Sequence, residues 1–201
     1  MAVALKGNAL ISAVELEMFL QVTIASSDYK NTLINIASDF IENFANRVFI
    51  SATYTREAYD GNGATMLYLD KYPITALTAV ESWDTTADTL LSTFTLNEDY
   101  FAYNAEGSIY KRGGWYNGRK NYRITYTAGY LIDDVPYDLK NACAQLAGLA
   151  YSRKGNTGIA SESIGAYSVS YDKNPLNIMF MGIPVPAEIA AVLISYRRPN
   201  V

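Results

Sequence analysis

The chain runs to 201 residues, of which 50% are apolar and 18% charged, with 16 basic against 20 acidic side chains, no His and a single Cys. The missing His excludes a Ser-His-Asp triad, a Cys-His pair and any His metal ligand, and one Cys makes neither an internal disulfide nor a Cys-based zinc site. The slightly acidic balance argues against a general nucleic-acid binder, and high apolar content with low net charge argues against disorder.

Ser12 and Glu15 form an S-x-x-E capping box ahead of Val14, Leu16, Phe19 and Leu20. Hydroxyl and carboxylate there satisfy two orphan amides, which predicts a short first helix. Ser26, Ser27 and Asp28 open a second helix over 28–46. Its Tyr29, Leu33, Ile36, Ala37, Phe40, Ile41 and Phe44 share one face, and Lys30, Asn31, Asn35, Asp39, Glu42 and Asn43 fall largely on the other. A long amphipathic helix of this kind needs a packing partner.

From Arg47 the pattern turns to β. Residues 48–59 are rich in β-branched and aromatic side chains, and Asp60-Gly61-Asn62-Gly63 reads as a hairpin turn. Extended segments are predicted at 65–69, 76–83, 94–96, 100–103 and 108–111, with a turn at 84–88. Tyr122, Ile124, Tyr126 and Ala128 alternate with Arg123, Thr125 and Thr127, the period of a half-buried strand.

Helix returns with Pro136, expected at a first helical position where its missing N–H costs nothing. Leu139, Ala142, Cys143, Leu146, Leu149 and Ala150 follow at helical spacing, and the small Ala142, Ala144, Ala147 and Gly148 permit close helix approach. Residues 155–166 are polar and Gly-rich and read as a loop or arm. Tyr167, Val169 and Tyr171 then alternate with Ser168 and Ser170, the pattern of a short strand. Pro186 opens a last helix with Ile189, Val192, Leu193 and Tyr196 on one face. Glu188 near its start and Arg197-Arg198 at its end complement the macrodipole.

This order predicts an α+β fold. The N- and C-terminal helices (1–46 and 131–201) build a helical core, and an antiparallel β domain (47–130) is inserted between helices two and three. Two independent domains joined near residue 130 are the alternative. Neither junction has Pro-Gly-Ser linker composition, which favours close packing. The first 14 residues carry only Lys6 as a basic group and are a poor signal peptide. The uncharged apolar stretch 174–187 is broken by Pro175, Pro184 and Pro186, so no membrane span is expected. With its lone Cys143, the chain is expected to be made in a reducing cytoplasm.

Chemistry is hard to find. Gly61-Asn62-Gly63 lacks the third Gly and the following helix of a phosphate loop, and Lys154-Gly155 is not followed by G-K-[ST]. Glu98-Asp99 and Asp133-Asp134 are adjacent carboxylates, which point to opposite faces of a strand. Asp84 and Asp88 flank a turn without the dense oxygen spacing of a calcium loop. Cys143 reads as a core residue. No catalytic residue, cofactor or metal ligand is expected.

Tyrosine is the unusual feature, at 17 residues, many of them in the β block and the arm. Tyr fills strands well, and it also suits interfaces, with an apolar body and a hydrogen-bonding tip. Tyr167 and Tyr171 follow a stretch that cannot fold by itself, which points to an arm that docks on a neighbour.

Three segments carry a family likeness. They are the extended Tyr122-Arg123-Ile124-Thr125-Tyr126-Thr127-Ala128-Gly129-Tyr130, the helix start Val135-Pro136-Tyr137-Asp138-Leu139-Lys140-Asn141-Ala142, and the arm 161–171 running from Ser161 through Ile164-Gly165-Ala166-Tyr167-Ser168-Val169-Ser170 to Tyr171. Together with the two N-terminal helices and Pro73-Ile74-Thr75, they resemble the head–tail connector (adaptor) proteins of tailed bacteriophages over most of residues 10–171. Ala166 departs from the pattern, standing where a polar residue often sits. The resemblance implies a non-enzymatic virion protein of the head–tail interface. Its homo-oligomeric ring of roughly twelve copies would sit between the portal protein and a tail or second neck protein, and DNA would pass through the lumen without sequence-specific binding. An acidic ring suits that passage, since DNA is itself densely negative. Ser161, Ile164, Tyr167, Val169 and Tyr171 are expected at a subunit or portal interface. Tyr196, Arg197 and Arg198 are expected to contact portal or tail; simple capping of the last helix is the competing account of the two arginines. A second functional class is a tyrosine-rich β module that grips a carbohydrate or host surface, with Trp83, Trp115 and Tyr116 as a stacking platform. A small hydrolase ranks last, for want of His and of a nucleophile elbow.

Overall fold

The computed structural model describes residues 2–152 and 178–198. Helix α1 (Ala13–Leu20) begins on the capping box: the Ser12 hydroxyl accepts from the Glu15 amide at 3.2 Å, and the Glu15 carboxylate accepts from the Ser12 amide at 2.7 Å. Helix α2 (Ser27–Ala45) starts on the Ser26 hydroxyl and stops at Asn46, whose left-handed φ of 49° is one that Asn tolerates. Its buried face holds Leu33, Ile34, Ala37, Ser38 and Ile41, rotated from the expected stripe so that Ile36, Phe40 and Phe44 are only partly covered. The rotation has a reason in Asn35, expected on the polar face but buried here. Its side chain accepts from the Lys6 amide and donates to the Ala4 carbonyl, at 2.9 Å each, and so binds the N-terminal segment as a neighbouring strand would.

Seven strands follow: β1 (Ala52–Gly61), β2 (Met66–Tyr68), β3 (Ile74–Asp84), β4 (Thr89–Phe94), β5 (Phe101–Tyr103), β6 (Ser108–Tyr110) and β7 (Gly118–Ala128). They form two antiparallel sheets, one ordered β1-β7-β3-β4 and the other β2-β6-β5. The Gly61–Gly63 turn thus connects two sheets, and the expected β1–β2 hairpin does not form. Gly61 lies opposite Gly118, and a Cβ there would stand 1.8 Å from the Tyr116 carbonyl oxygen, so the chain can cross at that point only as glycine. The alternation in β7 buries Tyr122, Ile124, Tyr126 and Ala128 as read from sequence, and they meet Tyr59, Leu67, Val80, Tyr100, Ile109 and Trp115 in one core.

Helix α3 (Tyr137–Ser152) takes Pro136 one position earlier than expected: its carbonyl accepts from the Lys140 amide, which makes it the cap and not the first helical residue. The described chain resumes in a small hairpin, β8 (Met179–Phe180) with β9 (Ile183–Pro184), turned by Met181 and Gly182, both at positive φ. Helix α4 (Ala187–Ser195) follows, with Pro186 again as cap. The α+β class, with the β block between the second and third helices, is therefore what the structure has.

The chain divides into two compact units, residues 1–47 with 134–201, and residues 48–133. In the helical unit, Leu10, Ile11, Leu16, Leu33, Ile34 and Ile41 pack with Leu139, Cys143, Leu146, Phe180, Val185, Ile189 and Leu193, all nearly or fully buried. Gly148 lets α1 approach α3: a Cβ there would stand 2.8 Å from Leu20 Cδ2. No described helix is long and apolar enough to cross a membrane.

Candidate assembly surface

In the β unit, much of the tyrosine and tryptophan is structural. The hydroxyls of Tyr59 and Tyr126 lie 2.8 Å apart and both converge on the Glu57 carboxylate, while the Asp70 amide donates to Tyr59. Burial raises both phenols far above the ordinary tyrosine range, and the Glu57 carboxylate beside them acts in the same direction. They are neutral hydrogen-bonding posts, not acids or bases at neutral pH. Trp115 is fully buried, with its indole N–H on the Thr65 carbonyl and its ring edge-on to Tyr122. Trp83 is nearly buried, with the Arg123 guanidinium 3.9 Å and that of Arg56 5.1 Å from its ring centroid. Of the three proposed platform residues, only Tyr116 is exposed, at 71%, and the Lys111 ammonium lies 5.1 Å from its ring centroid. A stacking platform needs coplanar exposed rings, and these indoles are filling cores.

The exposed apolar surface lies elsewhere. On the small sheet, register places Tyr68, Ser108 and Tyr103 in one row and Met66, Tyr110 and Phe101 in the row two along. Rows two apart share a face. Tyr68, Tyr103 and Phe101 are each about half exposed there, while the opposite face, Leu67 and Ile109, is core. Strand β4 is the second exposed element. It forms one edge of the large sheet, and Leu90 and Leu91 stand in solvent. Sequence reading missed this strand: the Leu90-Leu91 pair after the Asp84–Asp88 turn lacks a period-two pattern, although its apolar and Thr content was the available signal.

Asp84 binds the Thr86 and Ala87 amides of its own turn, and Asp88 pairs with the Arg123 guanidinium, so both carboxylates are engaged within the chain. Among the described residues, no group of three or more metal-ligating side chains gathers. Cys143 is fully buried against the Ser38 hydroxyl, and burial pushes its thiol up to about 12.

The C-terminal trio makes contacts within the chain. The Tyr196 hydroxyl reaches both Asp138 carboxylate oxygens, at 2.9 and 3.1 Å. The Arg197 guanidinium lies 5.8 Å from the Phe44 ring, and the Arg198 amide donates to the Ala45 carbonyl at 2.9 Å. The end of α4 is thereby tied to the start of α3 and to a C-terminal carbonyl of α2 that lacks an intrahelical partner. Ser161, Ile164, Tyr167, Val169 and Tyr171 lie outside the described residues. The motif residue Lys140 is buried, with its ammonium on Glu15 at 2.8 Å, so its place in the helix-start motif reflects an α1–α3 tie.

A family model described as head completion protein matches residues 9–199. The chain belongs to this family. No curated protein matches it in sequence. Among solved structures, the head completion chain is similar to a chain from the neck of an empty gene transfer agent particle computed with C6 symmetry. The two are 18% identical, with a TM-score of 0.59, over 100% of this chain and 95% of that one. It is also similar to a chain from the neck of the native particle computed with C12 symmetry, at 17% identity and a TM-score of 0.53, over 100% and 94% of the two chains. A third likeness is to a chain from the virion of the native gene transfer agent particle, at 17% identity and a TM-score of 0.51, over 98% and 94%. These likenesses establish a common fold.

Proposed function

We propose that this head completion chain is a non-catalytic connector subunit of a phage-like neck, forming a ring between the portal and the tail through which DNA passes. The family match over residues 9–199 carries the reading. Fold-level similarity to neck chains treated with six- and twelve-fold symmetry supports the ring. The net charge of −4 per copy suits a lumen that does not hold DNA.

The arm 161–171, with Ser161, Ile164, Tyr167, Val169 and Tyr171, is the proposed contact with a neighbouring subunit or with the portal. The end of α4, with Tyr196, Arg197 and Arg198, is the proposed portal- or tail-facing contact; Arg197 is exposed although it lies near Phe44.

The test is complementation. Particles assembled without the chain should fill with DNA, fail to join tails and lose their DNA. Purified chain added to such heads should restore infectivity and appear in the isolated neck. Tailed, stable particles formed without the chain would sink the reading. Deleting residues 158–171 should leave a folded chain that no longer restores tail joining.

A further inference from the structure

Strand β4 is an edge without charged side chains. Thr89-Leu90-Leu91-Ser92-Thr93-Phe94 holds no charge, no Pro and no Gly, and five of its six residues are exposed. Natural sheets guard such edges with charges, prolines or bulges, because unpaired amides and carbonyls template another strand. Strand β4 has one such guard, a bulge at Leu91 where its pairing with β3 slips by one residue, and the opposite edge of the same sheet has more. Strand β1 is bulged between Tyr54 and Glu57, carries Arg56 at a φ of 51°, and includes Arg56, Glu57 and Asp60. Six neutral residues of high β propensity are also about the length that strand addition uses.

We infer that the β4 edge receives residues 167–171 of a neighbouring copy as an added antiparallel or parallel strand. This rests on the ring reading above and names where the arm docks. The arm matches the edge in three respects. Tyr167-Ser168-Val169-Ser170-Tyr171 is as neutral as β4, so pairing desolvates no charge on either side. It alternates with period two, so Tyr167, Val169 and Tyr171 fall on one face, where cross-strand contact with a leucine of β4 is available. Its five residues fit the six of β4. Pairing between copies is heterologous, arm on edge, and such contacts make a ring when the rotation between copies closes. A β4-to-β4 pair would be two-fold and would stop at a dimer.

The experiment uses the full-length chain and a fluorescent synthetic peptide of residues 161–171. The peptide is expected to bind the wild-type chain. Leu91→Lys and Leu90→Lys, both at exposed side chains of the edge, should weaken binding by about tenfold or more while leaving the melting curve in place. A scrambled peptide that loses the alternation should not bind. Absence of peptide binding, or binding indifferent to both edge variants, overturns the inference.

A second measurement guards against misfolded variants. Ser92→Cys and Ser170→Cys, made in separate chains, are mixed with portal and oxidised. A cross-link between the two different chains is expected. Ser92→Cys pairs forming in preference would assign the edge to a second β4 and overturn the inference. The two readings fail separately. A chain that binds the peptide yet never enters necks defeats the connector reading alone. A chain that enters necks yet ignores the peptide defeats the β4 assignment alone.

Discussion

Replacing Glu15 probes the tie between α1 and α3. One carboxylate oxygen accepts from the Lys140 ammonium at 2.8 Å and the other from the Ser12 amide at 2.7 Å. The Lys140 side chain is only 5% exposed and that of Glu15 25%. Glu15→Ala therefore leaves a nearly buried ammonium without its counter-charge and removes half of the capping box. Breaking a buried pair from one side costs about 3–5 kcal/mol, and loss of a cap about 0.5–2. Because Glu15 keeps some solvent, the lower part of the combined range applies, about 4 kcal/mol. Lys140→Met should cost less, roughly 1–2 kcal/mol, since the carboxylate it leaves is wetter and still holds the Ser12 amide. The double variant Glu15→Gln with Lys140→Met should return to within about 1 kcal/mol of wild type, because an apolar replacement removes the buried charge altogether. Urea unfolding followed by circular dichroism at helical wavelengths measures all four chains. A Glu15→Ala cost below about 1 kcal/mol, or a double variant as unstable as Glu15→Ala, would refute the reasoning. The pH dependence follows from the same pair. Burial opposes the Glu15 charge, but Lys140 and Ser12 outweigh it and hold the carboxyl below its ordinary 4.5. Its contribution is therefore complete above that value and is lost as pH falls through the lower folded value.

Other expectations are simpler to check. Tyr59 and Tyr126 have phenols raised above the ordinary 10.0, so their contribution is complete below pH 10 and is lost as pH rises beyond it; unfolding of the β unit should begin there, and native absorbance titration should show fewer than 17 phenols ionising before it does. Tyr126→Phe should cost about 1–3 kcal/mol by taking a donor from Glu57, measured by urea unfolding with fluorescence detection. Gly61→Ala should cost roughly 3 kcal/mol or more, or prevent folding, because its Cβ meets the Tyr116 carbonyl; a near-neutral result would disprove that crossing. Cys143 should be silent to a thiol reagent in the native chain and react once in denaturant, and fast native reaction would contradict its burial.

How legible the molecule was depended on the range of the interactions involved. The capping box at Ser12 and Glu15 and the β7 alternation were readable because their partners lie within a turn or repeat at a fixed period. Helical spacing puts Asn35 on the polar face, yet it is buried, because its partners, Ala4 and Lys6, are about thirty residues away and amide-to-backbone pairing leaves no periodic trace. The same holds for Trp83 and Trp115. An indole on a strand looks alike whether it awaits a ligand or fills a core, and only contact with Arg56 and Arg123, or with Phe94 and Tyr122, settles which. The Tyr196 hydroxyl bonds Asp138, 58 residues earlier in the chain, a partner that helical spacing does not announce.

Composition, local periodicity and motif spacing are one-dimensional properties, and the exclusion of His and disulfide chemistry, the α+β order of elements, the main helices and the family likeness follow from them. Tertiary structure alone decided that Gly61–Gly63 joins two sheets, that Lys140 of the helix-start motif ties α3 to α1, and that β4 is an uncharged open edge. Each of those depends on which segments meet across long stretches of chain. Strand pairing and buried ion pairs are set by the whole packed core, where desolvation and steric fit choose among partners that local sequence leaves equivalent.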